Sequence, residues 1–325
     1  MTIEHTGTPM LYLGFTLVVI VLLAGDFFLL KARGAHRVSL REAAAWSFVW
    51  IAVALAFCGW FWWYLDMRFP REIANEKALE YLTGYLIERS LAVDNVFVWI
   101  IIFNFFAVRR EFQKQVLLYG VLGAIIMRAM LIYLGALLLA SFHWILYVFG
   151  LFLLLTGVKM LVFGDHETDL EKNPVLRWMR SHMKITADHH GEKFFVVREG
   201  IRYATPLFLV LVLVEVSDLI FSVDSIPAIF AVTDDPFIVF TSNIFAILGL
   251  RAMYFLLADM AGRFHLLKYG LAAILVVIGV KMLLLDIYKI PVWIALGIVA
   301  LILFVSVLAS LITSGRGKPI DEVKC

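Results

Sequence analysis

Charge is scarce in this chain: 17% of its 325 residues are Asp, Glu, Lys or Arg, and the mean hydropathy is +0.91. Soluble domains carry about a quarter charged residues, so an ordinary soluble fold is excluded and a polytopic membrane protein is expected. Cysteine is scarcer still. Cys58 lies in an apolar run and Cys325 is the last residue, with no Cys-x-x-Cys, which excludes a disulfide framework and a thiolate metal site. A net charge of +2 is too small to argue for nucleic acid. Two buried aspartates on different spans would suit an intramembrane aspartyl protease, but the Gly-x-Gly-Asp motif of such enzymes is missing. No catalytic residues and no cofactor are expected.

What is present is a series of apolar runs of about 20 residues or more, near 10–31, 43–65, 80–106, 115–140, 143–163, 205–231, 237–259, 266–286 and 291–312. They predict an all-α bundle of about nine transmembrane helices. The first run contains Asp26 and is followed by no small-residue cleavage pattern, so it reads as a retained helix rather than a signal peptide. Segments 31–42, 107–114, 164–204, 260–268 and 313–325 together hold 19 Lys and Arg, against 4 in the alternate set. The positive-inside rule then places the N-terminus outside and the C-terminus in the cytoplasm. The aromatic residues, including FWWY at 61–64, are expected in interface belts and core packing.

The organisation is repetitive. Glu88 and Asp94 in ERSLAVDN match Asp218 and Asp224 in DLIFSVDS, each pair separated by five residues. Arg128-Ala129-Met130 matches Arg251-Ala252-Met253, and Gly157-Val158-Lys159-Met160-Leu161 matches Gly279-Val280-Lys281-Met282-Leu283. Two three-helix units of opposite topology are therefore expected. The division is 1–79 (two helices), 80–163 (first unit), 164–204 (cytoplasmic loop), 205–286 (second unit) and 287–325 (last helix and tail). Inverted units place a substrate site between them near the midplane. Asp94 and Asp224 are thus expected to approach one another, with Pro227 unwinding the helix beside Asp224 by freeing the Val223 carbonyl.

Each carboxylate at the bilayer centre costs roughly 2.5–3.5 kcal/mol on insertion scales, so it needs an ion, water or a partner. Asp94, Asp224, Asp218, Glu88 and Glu215 are the metal-ligand candidates, with Asn95, Ser225 and Asn243, and more loosely Ser217 and Thr241, completing an oxygen shell. Oxygen donors suit Mg²⁺, Ca²⁺ or Mn²⁺, and the acids would repel an oxyanion. Arg128, Arg251, Asp26, Lys159 and Lys281 are candidates for ion pairing or gating; neutral pairing among them could also simply hold the bundle together. In the 164–204 loop an amphipathic LRWMRSHMK precedes two short strands meeting at Glu199-Gly200. His166, His182, His189 and His190 lie there, and Asp188-His189-His190 could collect a metal ion, though a solvated polar loop explains the same residues.

YLIERSLAVDNVFVW, VEVSDLIFSVDSIPAIFAVT, DPFIVFTSNIFAILGLRAMYF and KYGLAAILVVIGVKML resemble the TerC family of integral membrane proteins over nearly the whole chain. The resemblance implies a nine-helix bacterial inner-membrane protein linked to Mn²⁺ export and manganese homeostasis, with links to tellurite resistance. It also implies that Glu88, Asp94, Glu215, Asp218 and Asp224 handle the metal. The expected function is export of a divalent cation, Mn²⁺ foremost, with exchange for protons as a plausible coupling. A membrane scaffold acting in metal or tellurite stress through a cytoplasmic partner at 164–204 is the alternative.

Overall fold

The computed structural model describes residues 6–33, 39–142, 144–163, 173–186, 191–198, 200–258, 266–284 and 291–314. Each apolar run coincides with helix. In chain order these are α1 (Pro9–Arg33), α2 (Leu40–Asp66), α3 (Arg71–Phe105), α4 (Arg110–Ser141), α5 (Ile145–Phe163), α6 (Pro174–His182), α7 (Pro206–Phe230), α8 (Pro236–Leu248), α9 (Leu250–Ala258), α10 (Leu267–Leu283) and α11 (Val292–Ser314). Two short antiparallel strands, β1 (Phe195–Arg198) and β2 (Ile201–Ala204), form a hairpin between α6 and α7.

Against the nine expected spans, six described helices are long and apolar enough to cross a bilayer, or seven if α8 and α9 form one bent span. The shortfall has a local cause. α3 carries Glu88, Arg89 and Asp94 within its apolar half, and α10 has 17 described residues. Outward-facing side chains are apolar along α1, α4, α5 and α11, among them Leu13, Val21, Ile126, Tyr133, Leu155 and Phe304. Apolar surface of this extent on a soluble monomer would mark a binding face; on these helices it is the face a bilayer covers.

Local signals set the helix ends. Ser39 accepts a hydrogen bond from the Glu42 N–H at the start of α2, and Asn173 caps α6 with Pro174 at its first position, both side chains satisfying amides that have no partner inside the helix. Asp235 caps α8 through Oδ1 at 3.0 Å from the Phe237 N–H. Its Oδ2 accepts from both the N–H and the hydroxyl of Thr6 at 2.6 Å, tying the start of the described chain to α8.

α7 stays helical through Pro227, contrary to the expected unwinding. The proline stands three residues before the helix end, so only one intrahelical hydrogen bond, that to the Val223 carbonyl, is lost and few residues beyond it have to keep the helical course. The bend falls elsewhere, at Gly249, where α8 and α9 meet at 42°. There Arg89 of α3 donates to the Ala246 carbonyl at 3.0 Å, placing a cation at the negative end of α8.

α5 and α10 make backbone-to-backbone contact, and glycines of α4 meet side chains of α7. α5 and α10 pack through Gly157 and Gly279: a Cβ on Gly157 would lie 2.8 Å from the Ala272 carbonyl and from Val276 Cγ2, and a Cβ on Gly279 would lie 2.6 Å from Leu154 N and 2.8 Å from the Gly150 carbonyl. In the sequence match, Gly150, Leu154 and Gly157 correspond to Ala272, Val276 and Gly279, so the contacts are reciprocal. α4 and α7 run in the same direction, with Gly120 against Val214, Gly123 against Glu215 and Gly135 against Phe230.

Gly279→Ala is expected to lower the thermal midpoint of the purified protein in detergent. Its new Cβ meets backbone atoms that cannot rotate away, and overpacking of this kind costs about 1–3 kcal/mol. Gly297→Ala, at a position where a Cβ meets nothing within 4 Å, is expected to leave the midpoint unchanged.

Candidate functional site

α3, α4, α7 and α8 converge on one buried guanidinium. Arg128 of α4 is 0% exposed and bridges Glu88 of α3 and Asp218 of α7, each 1% exposed. It reaches Asp218 through Nε at 3.1 Å and Nη2 at 2.8 Å, a two-pronged contact that a lysine could not make. Nη1 donates to Glu88, to Asn243 Oδ1 at 3.2 Å and to Ser225 Oγ at 3.4 Å. The amides tie the acids down further: Asn243 Nδ2 donates to Glu88 Oε2 at 3.2 Å and Asn95 Nδ2 to Asp218 Oδ1 at 3.1 Å. Ser222 is turned to its own helix, donating to the Asp218 carbonyl at 2.8 Å.

Asn95 meets Asp218 while Ser225 shares the guanidinium nitrogen that holds Glu88, so α3 and α7 cross here in opposite directions. Of the acids matched in sequence, Glu88 and Asp218 are therefore the pair that come together. Asp94 belongs to α3 beside Asn95, and its side chain lies outside the described residues. Asp224 is half-buried on α7 and takes no part in the network. Among the described residues no three His, Cys, Asp or Glu side chains stand together as a metal site.

Two buried oxygens at this site have no hydrogen-bond partner: Asn95 Oδ1 and Glu215 Oε2. Glu215, one turn before Asp218 on α7, rests against Gly123 of α4, where any larger residue would displace its carboxylate. With both bridged carboxylates ionised, one guanidinium leaves one negative charge uncompensated in a low-dielectric setting, before Glu215 is counted. An electron-rich cluster of oxygens of this kind is chemically suited to a hard cation.

The remaining predicted residues sit apart. Arg251 pairs with Asp26 of α1, and its Nη1 is unpartnered. Lys281 is buried in α10, whereas its sequence match Lys159 is exposed on α5. Ser217 and Thr241 donate to carbonyls of their own helices, those of Val214 and Phe237. His182 is exposed at the end of α6, stacked on Trp178; His166, Asp188, His189 and His190 lie outside the described residues. Sequence reasoning missed Arg89 as a structural cation. It adjoins Glu88 in the chain, but only the fold brings it to the end of α8.

These features define a helical integral membrane protein with a buried, carboxylate-rich charge cluster between helices. The model described as "Integral membrane protein TerC family" matches residues 73–318, and the chain belongs to that family. It is 57% identical over 293 residues to a protein of Escherichia coli (strain K12) named "Putative membrane-bound redox modulator Alx", covering 90% of this chain and 91% of that protein. The protein of the same name from Photorhabdus laumondii is 51% identical over 305 residues, covering 94% and 95%. "Uncharacterized membrane protein STKORF319" of Myxococcus xanthus is 45% identical over 320 residues, covering 98% of each chain. No solved structure matches.

Removing one partner of a buried ion pair typically costs about 3–5 kcal/mol, because the other charge is left uncompensated. Asp218→Asn is therefore expected to lower the thermal midpoint and the membrane abundance markedly. Asp224→Asn, outside the network, is expected to leave the midpoint within a few degrees of the parent.

Proposed function

We propose that the protein exports divalent metal cations, Mn²⁺ foremost, through an acidic site between two inverted three-helix units. The observation that carries this reading is the cluster itself: two carboxylates from the two units meet on one arginine, one negative charge short of neutrality, beside unpartnered oxygens of Asn95 and Glu215. Its donors are carboxylate, amide and hydroxyl oxygens, which favour Mn²⁺, Mg²⁺ or Ca²⁺ over softer ions. The reciprocal packing of Gly157 and Gly279 is what a twofold relation between the units would produce, and it supports alternating access by movement of one unit against the other. Asp94 and Asp224 flank the crossing of α3 and α7 and serve the ion on its way in or out. Protons exchanged at the clustered carboxylates are the proposed counter-flow.

On this reading the protein sits in the bacterial inner membrane with its N-terminus outside and its C-terminus in the cytoplasm, following the Lys and Arg distribution. An influence on redox balance, as the name of the Alx relatives words it, would follow from the metal moved. The segment around α6 and the β1–β2 hairpin supports a second reading, a scaffold that recruits a cytoplasmic partner.

In cells loaded with MnCl₂, the parent protein is expected to lower intracellular manganese, and Asp94→Asn and Asp224→Asn to fail to do so at matched membrane abundance. Variants that export as well as the parent would remove those two acids from the ion path. No effect of the parent, together with a stress phenotype lost on deleting the 164–204 segment, would favour the scaffold.

A further inference from the structure

Arg128 occupies the position a transported cation would need. It takes up three of the four carboxylate oxygens of Glu88 and Asp218, and Asn243 takes the fourth. A guanidinium carries one positive charge and leaves this pair one charge short; a divalent cation in the same place neutralises it. The two cannot hold the same carboxylates at once. The carboxylate pair, the arginine and the unpartnered Asn95 Oδ1, on a residue 1% exposed, describe a site with an internal occupant.

We propose that Arg128 is a resident counter-ion that competes with the transported metal for Glu88 and Asp218, and that it withdraws to Glu215 when the metal binds. This rests on the divalent-cation reading above and adds a mechanism to it.

Three features support the exchange. Asn95 Oδ1 is buried, its residue being held to Asp218 through Nδ2, and it is left unspent by Arg128: a neutral oxygen with lone pairs to give to a metal ion in the place of the guanidinium. Glu215 offers a destination, because its Oε2 is buried without a partner and it lies three residues from Asp218 on the same face of α7, about 4.5 Å along the axis. Glycine at position 123 keeps that carboxylate against α4, the helix that carries Arg128. A displaced guanidinium therefore moves about one helical turn from one carboxylate to the next, without a stage in which the buried charge stands alone, which would be costly. Such an occupant also empties the site after release: once the ion leaves, the arginine returns, and the two carboxylates never face one another unpaired.

The test is Mn²⁺ binding to the full-length protein in lipid nanodiscs, read as the loss of the free-ion signal in electron paramagnetic resonance. Arg128→Gln is expected to bind Mn²⁺ at least tenfold more tightly than the parent and to stop exporting, since nothing displaces the ion. Arg128→Lys keeps the charge but loses the two-pronged grip, and is expected to bind severalfold more tightly; it decides the question should Arg128→Gln not fold. Glu215→Gln is expected to weaken binding in the parent and to have no effect in the Arg128→Gln background, because there is no guanidinium left to receive. Equal weakening in both backgrounds would make Glu215 a direct ligand and overturn its assigned role. Binding by the parent that is unchanged or weaker in Arg128→Lys and Arg128→Gln would overturn the competition itself. Absence of Mn²⁺, Mg²⁺ and Ca²⁺ binding in the parent and every variant would instead overturn the divalent-cation reading on which the proposal stands.

Discussion

A charge buried inside a membrane protein must be compensated where it lies, and the packing of α3, α4, α7 and α8 answers to that demand. Arg128 alone would be among the most costly side chains in the chain to bury. Its position is tolerable because α3, α7 and α8 each bring a polar group to it: Glu88, then Asp218 with Ser225, then Asn243. Those side chains meet only if the helices cross at the right depth. The glycines of α4 permit that approach on the α7 side, and Gly123 leaves room for the Glu215 carboxylate. Apolar packing supplies the surrounding support, with Trp99, Phe103, Phe237 and Phe245 fully buried.

The stretches that match in sequence do not match in conformation. Arg128 lies on a continuous α4, while Arg251 follows the bend at Gly249 and pairs with Asp26 on α1. Lys281 is buried and Lys159 exposed. The α5–α10 contact, by contrast, is reciprocal. The glycine packing of α5 against α10 is thus mirrored in the matched residues, whereas the matched bases differ in their surroundings. α1 is part of that asymmetry, since it supplies Asp26 as a partner to one arginine and to no equivalent of it.

Much of this was legible in the residues because the relevant physics is local. Long apolar runs must become helices in a bilayer, since every backbone group has to be satisfied internally. Between β1 and β2, Gly200 stands at φ 75°, a backbone region in which glycine is at ease, and most of the amphipathic LRWMRSHMK lies in α6, which buries Leu176 and Met179. Other features were out of reach. Pro227 signalled a break that its place near a helix end made unnecessary, and Gly249, an unremarkable glycine in an apolar run, marked the real one. Arg89 and Arg128 both lie in apolar runs, yet one caps a helix and the other holds two acids.

By itself the sequence determined that the chain is a membrane-embedded helical bundle, that carboxylates and bases lie inside its apolar runs, and that two stretches resemble one another, because composition and periodicity act along the chain. Only the tertiary structure decided which acid meets which base. Asp94 and Asp224 carry the stronger motif, but Glu88 and Asp218 are the acids gathered on Arg128. Helices crossing in opposite directions bring together residues far apart in number, and no spacing along one helix records where another will cross it.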